Sequence, residues 1–223
     1  MFDGNTLKDY LTGRGVSKVG YAKIDVSDFP DFSYGISLVL KLPKSCIQSL
    51  IDEDYRNYWS QFHHQVAILK EISLDAEQLI KDNGYGAFAL TMNRNEIDME
   101  KLLSKLPYKT VATSSGLGWI GRSALFVTKE YGSAVALSSI LTDMPLEVGS
   151  PVTDSFCDEC EECQKACPVD AINPTKWNSR LTREDIIDIK TCGEYVIDQY
   201  KAGLGCSKCL SNCRLTQEYF SSI

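Results

Sequence analysis

The sequence predicts an α+β fold in two parts, an α/β N-terminal domain over residues 1–150 and a cysteine-rich domain over residues 151–223. Strand-like and helical patterns alternate through the first part, and eight of the nine cysteines fall into two blocks in the second. Gly149-Ser150-Pro151 lies between the two parts and is typical of a boundary. A length of 223 residues is compatible with two domains of modest size.

Short runs of β-branched and aliphatic residues predict strands in the N-terminal part. They are Val19 to Ile24, Ile36 to Leu42, Tyr85 to Leu90, Ala124 to Thr128 and Ala134 to Leu141. Apolar residues recur at helical spacing from Tyr55 to about Asn83, and Gly84 suits a helix C-terminus. Further along, Thr182 with Asp185 three positions later resembles the start of a helix. The mixture predicts a sheet flanked by helices.

Composition limits the class of protein. The hydrophobic content of 43% is enough for a packed core. No apolar run approaches the ~18 residues of a membrane span, so we expect no membrane segment. The net charge of −7 makes nucleic acid an unlikely partner, because phosphate binding needs a basic surface. The first residues carry no secretory pattern, and we therefore expect a cytoplasmic protein.

The first cysteine block has the spacing of a bacterial ferredoxin motif. It is Cys157-x2-Cys160-x2-Cys163-x3-Cys167, with Pro168 next. In such motifs three thiolates hold one [4Fe–4S] cluster, and the fourth cysteine ligates the other cluster. The second block supplies Cys192 and then Cys206-x2-Cys209-x3-Cys213. The spacing predicts one cluster on Cys157, Cys160, Cys163 and Cys213, and a second cluster on Cys167, Cys192, Cys206 and Cys209.

Two other uses of the cysteines compete with clusters. Structural zinc sites usually offer two C-x2-C pairs separated by a spacer, and disulfides belong to an oxidising compartment. The second block also departs from the first, since Arg214 follows its last cysteine and thirteen residues separate Cys192 from Cys206. Cys46 is isolated in the N-terminal part and is typical of a small buried apolar residue.

A glycine loop is the second chemical motif. Gly116-Leu117-Gly118-Trp119-Ile120-Gly121 matches the dinucleotide-binding spacing G-x-G-x-x-G, but that pattern requires a strand before it and a helix after it. Here a strand-like segment follows. Two interpretations remain: a backbone that approaches a flat or anionic ligand closely, with Trp119 as an aromatic surface, or a tight structural turn with Trp119 in the core.

The segment from Ser115 to Arg122 resembles the "AGLGWIGK" segment of the epoxyqueuosine reductases, which are cobalamin-dependent iron–sulfur enzymes of queuosine synthesis. The resemblance continues through Glu130 to Ser133, through Ile140 to Leu146 and through the first cysteine block to Ile172. Reductive dehalogenases share this architecture more distantly.

The resemblance implies an iron–sulfur oxidoreductase with a nitroreductase-like N-terminal domain that holds cobalamin, followed by a two-cluster ferredoxin domain. The corrin would contact Gly116, Leu117, Gly118, Trp119, Ile120, Gly121 and Arg122. Electrons from an external donor, such as a ferredoxin or flavodoxin, would pass through the clusters to the cobalamin. The cobalamin would then reduce a small-molecule or partner-bound substrate.

The chain also departs from the family. An Asp-x-x-Pro segment that supplies a proton donor about fourteen residues before the glycine loop has no match, because that position is Leu102. Asp98 and Tyr108 are the candidate catalytic residues near it. The family's usual extension after the ferredoxin part is also missing, which favours a substrate other than tRNA. Two alternatives stay open: a non-catalytic electron-transfer protein without cobalamin, and an enzyme that holds FMN instead.

Overall fold

The computed structural model describes residues 2–91, 97–98, 103–202 and 204–222, with backbone only at 97, 98 and 103. Its helices and strands run in the order α1 (Gly4–Gly13), β1 (Lys18–Lys23), β2 (Tyr34–Lys41), α2 (Lys44–Ile51), α3 (Tyr55–Asp82), β3 (Ala87–Ala89), β4 (Ile97–Asp98), β5 (Leu103–Ser104), α4 (Tyr108–Ser114), β6 (Trp119–Ile120), β7 (Phe126–Val127), β8 (Val135–Thr142), α5 (Glu162–Lys165), α6 (Ile189–Lys201), α7 (Lys208–Ser211) and α8 (Arg214–Ser221). No helix in these described ranges is long and apolar enough to cross a membrane.

The chain forms two compact units. The first comprises Met1–Lys41, Gln65–Leu117 and Ala136–Val152, and the second comprises Leu42–His64, Gly118–Val135 and Thr153–Ile223. The second unit therefore contains all of the cysteine-rich part together with two earlier segments. The glycine loop crosses the division between Leu117 and Gly118. The sequence-based boundary near residue 150 stays a prediction.

A four-stranded sheet organises the first unit, in the order β1-β2-β8-β3. β1 pairs antiparallel with β2, and β3 pairs antiparallel with β8. Six consecutive residues of β2 are buried, so both of its faces are covered. A cluster of Ala22, Leu90, Leu106, Val111 and Leu141 forms a core in this unit. Here α4 packs on β1 and β2 and carries the chain to the first residues of the glycine loop.

The second unit is built around a small apolar core. Ala124, Ala171, Ile172, Ile186 and Ile187 are its buried members, and Ile172 bridges to Ile187. Four of the cluster-motif cysteines pack against this core: Cys163, Cys167, Cys192 and Cys209. The core therefore holds the cysteine-bearing segments in place.

The predicted mixture of strands and helices is confirmed. Each of the five predicted strand segments contains a strand, and the long helix ends at Asp82, two residues before Gly84 with its positive φ of 88°. The predicted helix start at Thr182 is wrong. The Asp185 carboxylate accepts hydrogen bonds from the Thr182 backbone N–H at 2.8 Å and from its hydroxyl at 2.7 Å, which closes a local turn. Helix α6 begins at Ile189, with Asp188 as its N-cap.

Candidate functional site

The first four predicted ligands line one cavity of about 30 Å³ in the second unit. Cys157, Cys160 and Cys163 approach it from the tight turn before α5 and from α5 itself, and Cys213 reaches it as the N-cap residue of α8. Asp158 adopts a left-handed φ of 47° in this turn, and the Cys160 N–H donates to the Cys157 carbonyl at 3.0 Å. Burial, with the neighbouring cysteines, raises the pKa of the Cys163 thiol to about 11.

The other four predicted ligands form a second group in the same unit. Cys192 lies on α6, Cys209 lies on α7, and each interacts electrostatically with Cys167 and Cys206. Burial, together with these neighbouring thiols, raises the pKa of Cys209 to about 12. Cys209 and Cys163 of the first group pack against the same apolar core. All nine cysteines of the chain are free thiols.

Two aromatic residues that the sequence analysis did not assign stand beside the second group. Tyr58 is 2% exposed and interacts electrostatically with Cys209. The neighbouring Trp59 lies so close to Gly205 that a Cβ on the glycine would be 2.7 Å from Trp59 Nε1. The helical periodicity of α3 predicts that Tyr58 and Trp59 are buried. It does not predict that they lie beside the second cysteine group.

The second half of the glycine loop lies against the first cysteine group. The Trp119 indole N–H donates to Cys157 Sγ at 3.4 Å, and its ring meets the Phe156 ring edge-on at 5.3 Å between centroids. Arg122 is 4% exposed and donates to the backbone carbonyls of Pro174 at 3.0 Å and Asp158 at 3.1 Å. The indole of Trp119 is therefore engaged by the cysteine turn.

Packing within the chain accounts for all three glycines of the loop. Gly116 has a φ of 78°, and a Cβ there would lie 2.7 Å from the Ser150 carbonyl oxygen. A Cβ on Gly118 would overlap the Val127 carbonyl oxygen, and one on Gly121 would lie 2.9 Å from Val127 Cγ2. Since β6 and β7 pair at Trp119 and Val127, a side chain at 118 would force the strands apart. These contacts support the interpretation of the loop as a structural turn.

The first unit contains a larger cavity, of about 520 Å³. Of the seven loop residues, Leu117 is the one that lines it, together with Gly20 and Tyr21 of β1 and Gly149. Gly20 is required there, since a Cβ would lie 2.8 Å from Leu117 Cγ and 2.9 Å from Ser115 Oγ. Leu117 is the one residue of the glycine motif at this cavity, and the motif spacing does not predict the cavity.

The two candidate catalytic residues both belong to the first unit. Asp98 lies in β4, and its side chain is outside the described residues. Tyr108 begins α4 and packs against the core of the first unit. Burial raises the pKa of the Tyr108 phenol above its ordinary value, which makes it a weaker acid. The register position Leu102 also lies outside the described residues.

Comparison with known proteins identifies similar sequences, although no family model matches the chain. The chain is 32% identical to an epoxyqueuosine reductase of Listeria monocytogenes over 109 residues, which cover 46% of this chain and 28% of that protein. It is 28% identical to an epoxyqueuosine reductase of Lactococcus garvieae over 166 residues, which cover 71% of this chain and 43% of that protein. The chain resembles the epoxyqueuosine reductases. The resemblance predicted from the sequence is confirmed.

Solved structures show the same fold. A selenomethionine-labelled epoxyqueuosine reductase matches with a TM-score of 0.68 at 17% identity, over 96% of this chain and 65% of that chain. The catabolic reductive dehalogenase NpRdhA matches with a TM-score of 0.76 at 19% identity, over 95% of this chain and 31% of that chain. The chain thus spans less than half the length of the curated relatives quoted above, and its activity, substrate and partners are proposals.

These comparisons change two of the sequence-based expectations. One similar structure is an epoxyqueuosine reductase with an epoxyqueuosine-modified tRNA stem loop, with a TM-score of 0.65 at 18% identity and coverage of 96% of this chain and 65% of that chain. Net charge was therefore too weak a reason to set nucleic acid aside as a partner, since a relative with this fold is found with RNA. The FMN alternative receives no support from the relatives or from the similar structures.

Proposed function

We propose that the chain is an iron–sulfur oxidoreductase related to the epoxyqueuosine reductases, with one [4Fe–4S] cluster on each cysteine group. The observation that carries the proposal is the cavity that Cys157, Cys160, Cys163 and Cys213 line together, and the mutual influence of the other four thiols on their pKa values supports the second cluster. Each cluster would accept one electron from an external ferredoxin- or flavodoxin-type donor and pass it on.

The thiols and their surroundings fit such clusters. The four cysteines of the first group surround a cavity, as the ligands of a multi-atom cluster would. The buried Nε of Arg122, which lines the same cavity, has no hydrogen-bond partner within the described part of the chain. Cluster binding would displace protons from thiols whose pKa burial has raised, so assembly and folding are coupled.

Cobalamin is the second part of the proposal, and the residues that would hold it fit only in part. Leu117 lines the cavity of the first unit beside Gly20 and Tyr21, and these residues would contact the group there. Gly118 is enclosed by the chain's own packing, and Gly121 lines the cavity of the first cysteine group. When bound, cobalamin would supply low-potential cobalt chemistry for reducing a small or partner-bound substrate.

A non-catalytic electron-transfer protein is the second candidate. It is favoured by the packing role of the glycines and by the absence of an Asp-x-x-Pro segment from the sequence. Both candidate functions require the two clusters, and only the oxidoreductase requires bound cobalamin.

The test is anaerobic reconstitution with iron, sulfide and hydroxocobalamin, followed by gel filtration and metal counting. We expect about eight irons per chain and stoichiometric cobalt. Eight irons without cobalt would favour the electron-transfer protein, and fewer than about eight irons would refute the assignment of two clusters. Reduction of an epoxyqueuosine-containing tRNA stem loop, with the unmodified stem loop as control, would then test the substrate class.

A further inference from the structure

A buried positive charge stands in the wall of the first cysteine group. The Arg122 side chain shares the cavity with Cys157, Cys160, Cys163 and Cys213, and Arg122 is 4% exposed. Two of its nitrogens donate to backbone carbonyls, and its Nε has no partner in the described ranges. A guanidinium is always charged at neutral pH. A charge held out of water needs compensation, and carbonyl dipoles supply only part of it.

No carboxylate within the described residues forms an ion pair with Arg122. Glu159 is the nearby acid whose pKa it helps to lower, but the larger cause is Lys176, whose Nζ lies 2.6 Å from the Glu159 carboxylate. The Glu159 side chain is also 90% exposed, so water screens its charge. A negative group that compensates Arg122 is therefore expected on the side of the cavity where the four thiols lie.

A four-iron cluster on four thiolates would supply that counter-charge. Such a cluster is net negative, and it gains one more negative unit when it accepts an electron. A fixed buried cation stabilises the reduced state more than the oxidised state and raises the reduction potential. Hydrogen bonds to the cluster sulfurs act in the same direction, and the Trp119 N–H makes one to Cys157 Sγ at 3.4 Å.

We propose that Arg122 and Trp119 raise the reduction potential of the first cluster. This inference rests on the proposed function, because it requires a cluster at the first cysteine group. Beside the second group, Asp188 caps the helix that carries Cys192, and because its side chain is exposed, water screens its charge. In the redox step, a reduced donor loses one electron and the cluster core gains it, with no proton transferred.

The chain offers a matched control for the charge. Arg214 lines the same cavity, but its side chain is 52% exposed and lies 3.7 Å from a Glu218 carboxylate oxygen. Water and Glu218 screen its charge, so Arg214→Gln should change the potential little. Arg122→Lys keeps the charge and should shift the potential less than Arg122→Gln does.

The experiment is a redox titration, followed by electron paramagnetic resonance, of anaerobically reconstituted protein without added corrin. Iron is counted first in wild type, Arg122→Gln, Arg122→Lys, Trp119→Phe and Arg214→Gln. Cys160→Ser identifies the signals, because it retains the second cluster. We expect Arg122→Gln to lower the equilibrium constant for reduction of the first cluster at least tenfold. That corresponds to a reduction potential lower by about 59 mV for a one-electron couple. Trp119→Phe should shift it in the same direction by less, and the second cluster should not move.

The outcomes separate this inference from the proposed function. A wild-type chain that binds fewer than about eight irons refutes the two-cluster function itself. Full iron loading with unchanged potentials in Arg122→Gln overturns the inference alone, as does an equal shift in Arg214→Gln. If Arg122→Gln does not fold, Trp119→Phe decides: a lowered potential of the first cluster supports the inference, and an unchanged one overturns it.

Discussion

Replacing Gly118 by alanine distinguishes the two interpretations of the glycine loop. If the loop exists to approach a ligand, the variant should lose that ligand and keep its stability. If packing requires the glycine, the variant should be destabilised without any ligand present. The added methyl would overlap the Val127 carbonyl oxygen and lie 2.8 Å from Phe126 Cζ. Both obstacles belong to β7, the strand that pairs with β6 next to the substitution.

The expected loss of stability in Gly118→Ala depends on whether the atoms around the added methyl can move away. A carbonyl held in a strand pair cannot turn away as a flexible side chain can, so we take the upper part of the overpacking range, about 3 kcal/mol. For a protein of this length each kcal/mol shifts Tm by roughly 2–4 °C, which gives a fall of about 6–12 °C. The matched control is Gly193→Ala in α6, where a Cβ meets nothing within 4 Å. It should gain about 1 kcal/mol from helix propensity.

The assay is thermal unfolding by circular dichroism at one fixed scan rate. It uses iron-loaded protein without corrin, and the iron content of each variant is measured beforehand. A Tm for Gly118→Ala within about 1 °C of wild type, beside a raised Tm for Gly193→Ala, would refute the packing argument. Loss of cobalt binding in that same stable variant would then assign the loop to the corrin.

Two further predictions concern the cysteines and the first unit. Cys160→Ser should bind about four irons where the wild type binds about eight, while Cys46→Ala, at a cysteine outside both groups, should keep both clusters; equal iron in the two variants would contradict the ligand assignment. Glu77→Ala should lose about 1–3 kcal/mol in urea unfolding, because Glu77 accepts from the buried Ala89 N–H at 2.8 Å. The exposed Glu71 on the same helix gives the control, and Glu71→Ala should stay within about 0.5 kcal/mol of wild type.

Elements whose signal is local could be predicted from the sequence. The strands around Val19 and Ile36 are rich in apolar residues, and their central residues are buried on both sides of the sheet. The long helix from Tyr55 shows its periodicity over many turns. The closeness of Cys157, Cys160 and Cys163 was also predictable, because three closely spaced thiols on a tight turn are held together by the turn itself.

Features that depend on distant partners could not be predicted. The Thr182 segment has the residues of a helix start, but Asp185 bonds back to Thr182 while the next two residues enter the core of the second unit. Helix α6 therefore begins only at Ile189, with Asp188 as its N-cap. Nothing local distinguishes these two candidate starts. The choice is made by burial of Ile186 and Ile187, which requires the rest of the unit.

The glycine loop shows how a motif can mark the right place for a different physical reason. Its spacing suggests a backbone without side chains so that a ligand can approach. In the structure, Gly118 and Gly121 lack side chains where strand β7 packs closely against them. That close approach brings the next residues to the first cysteine group, with Trp119 bonded to Cys157 and a Cβ on Gly121 only 3.6 Å from the same sulfur. Arg122 then enters the wall of the thiol cavity. On this argument the glycines act on the cluster through the two side chains that they position, so Gly118→Ala should disturb the first cluster and leave the second unchanged.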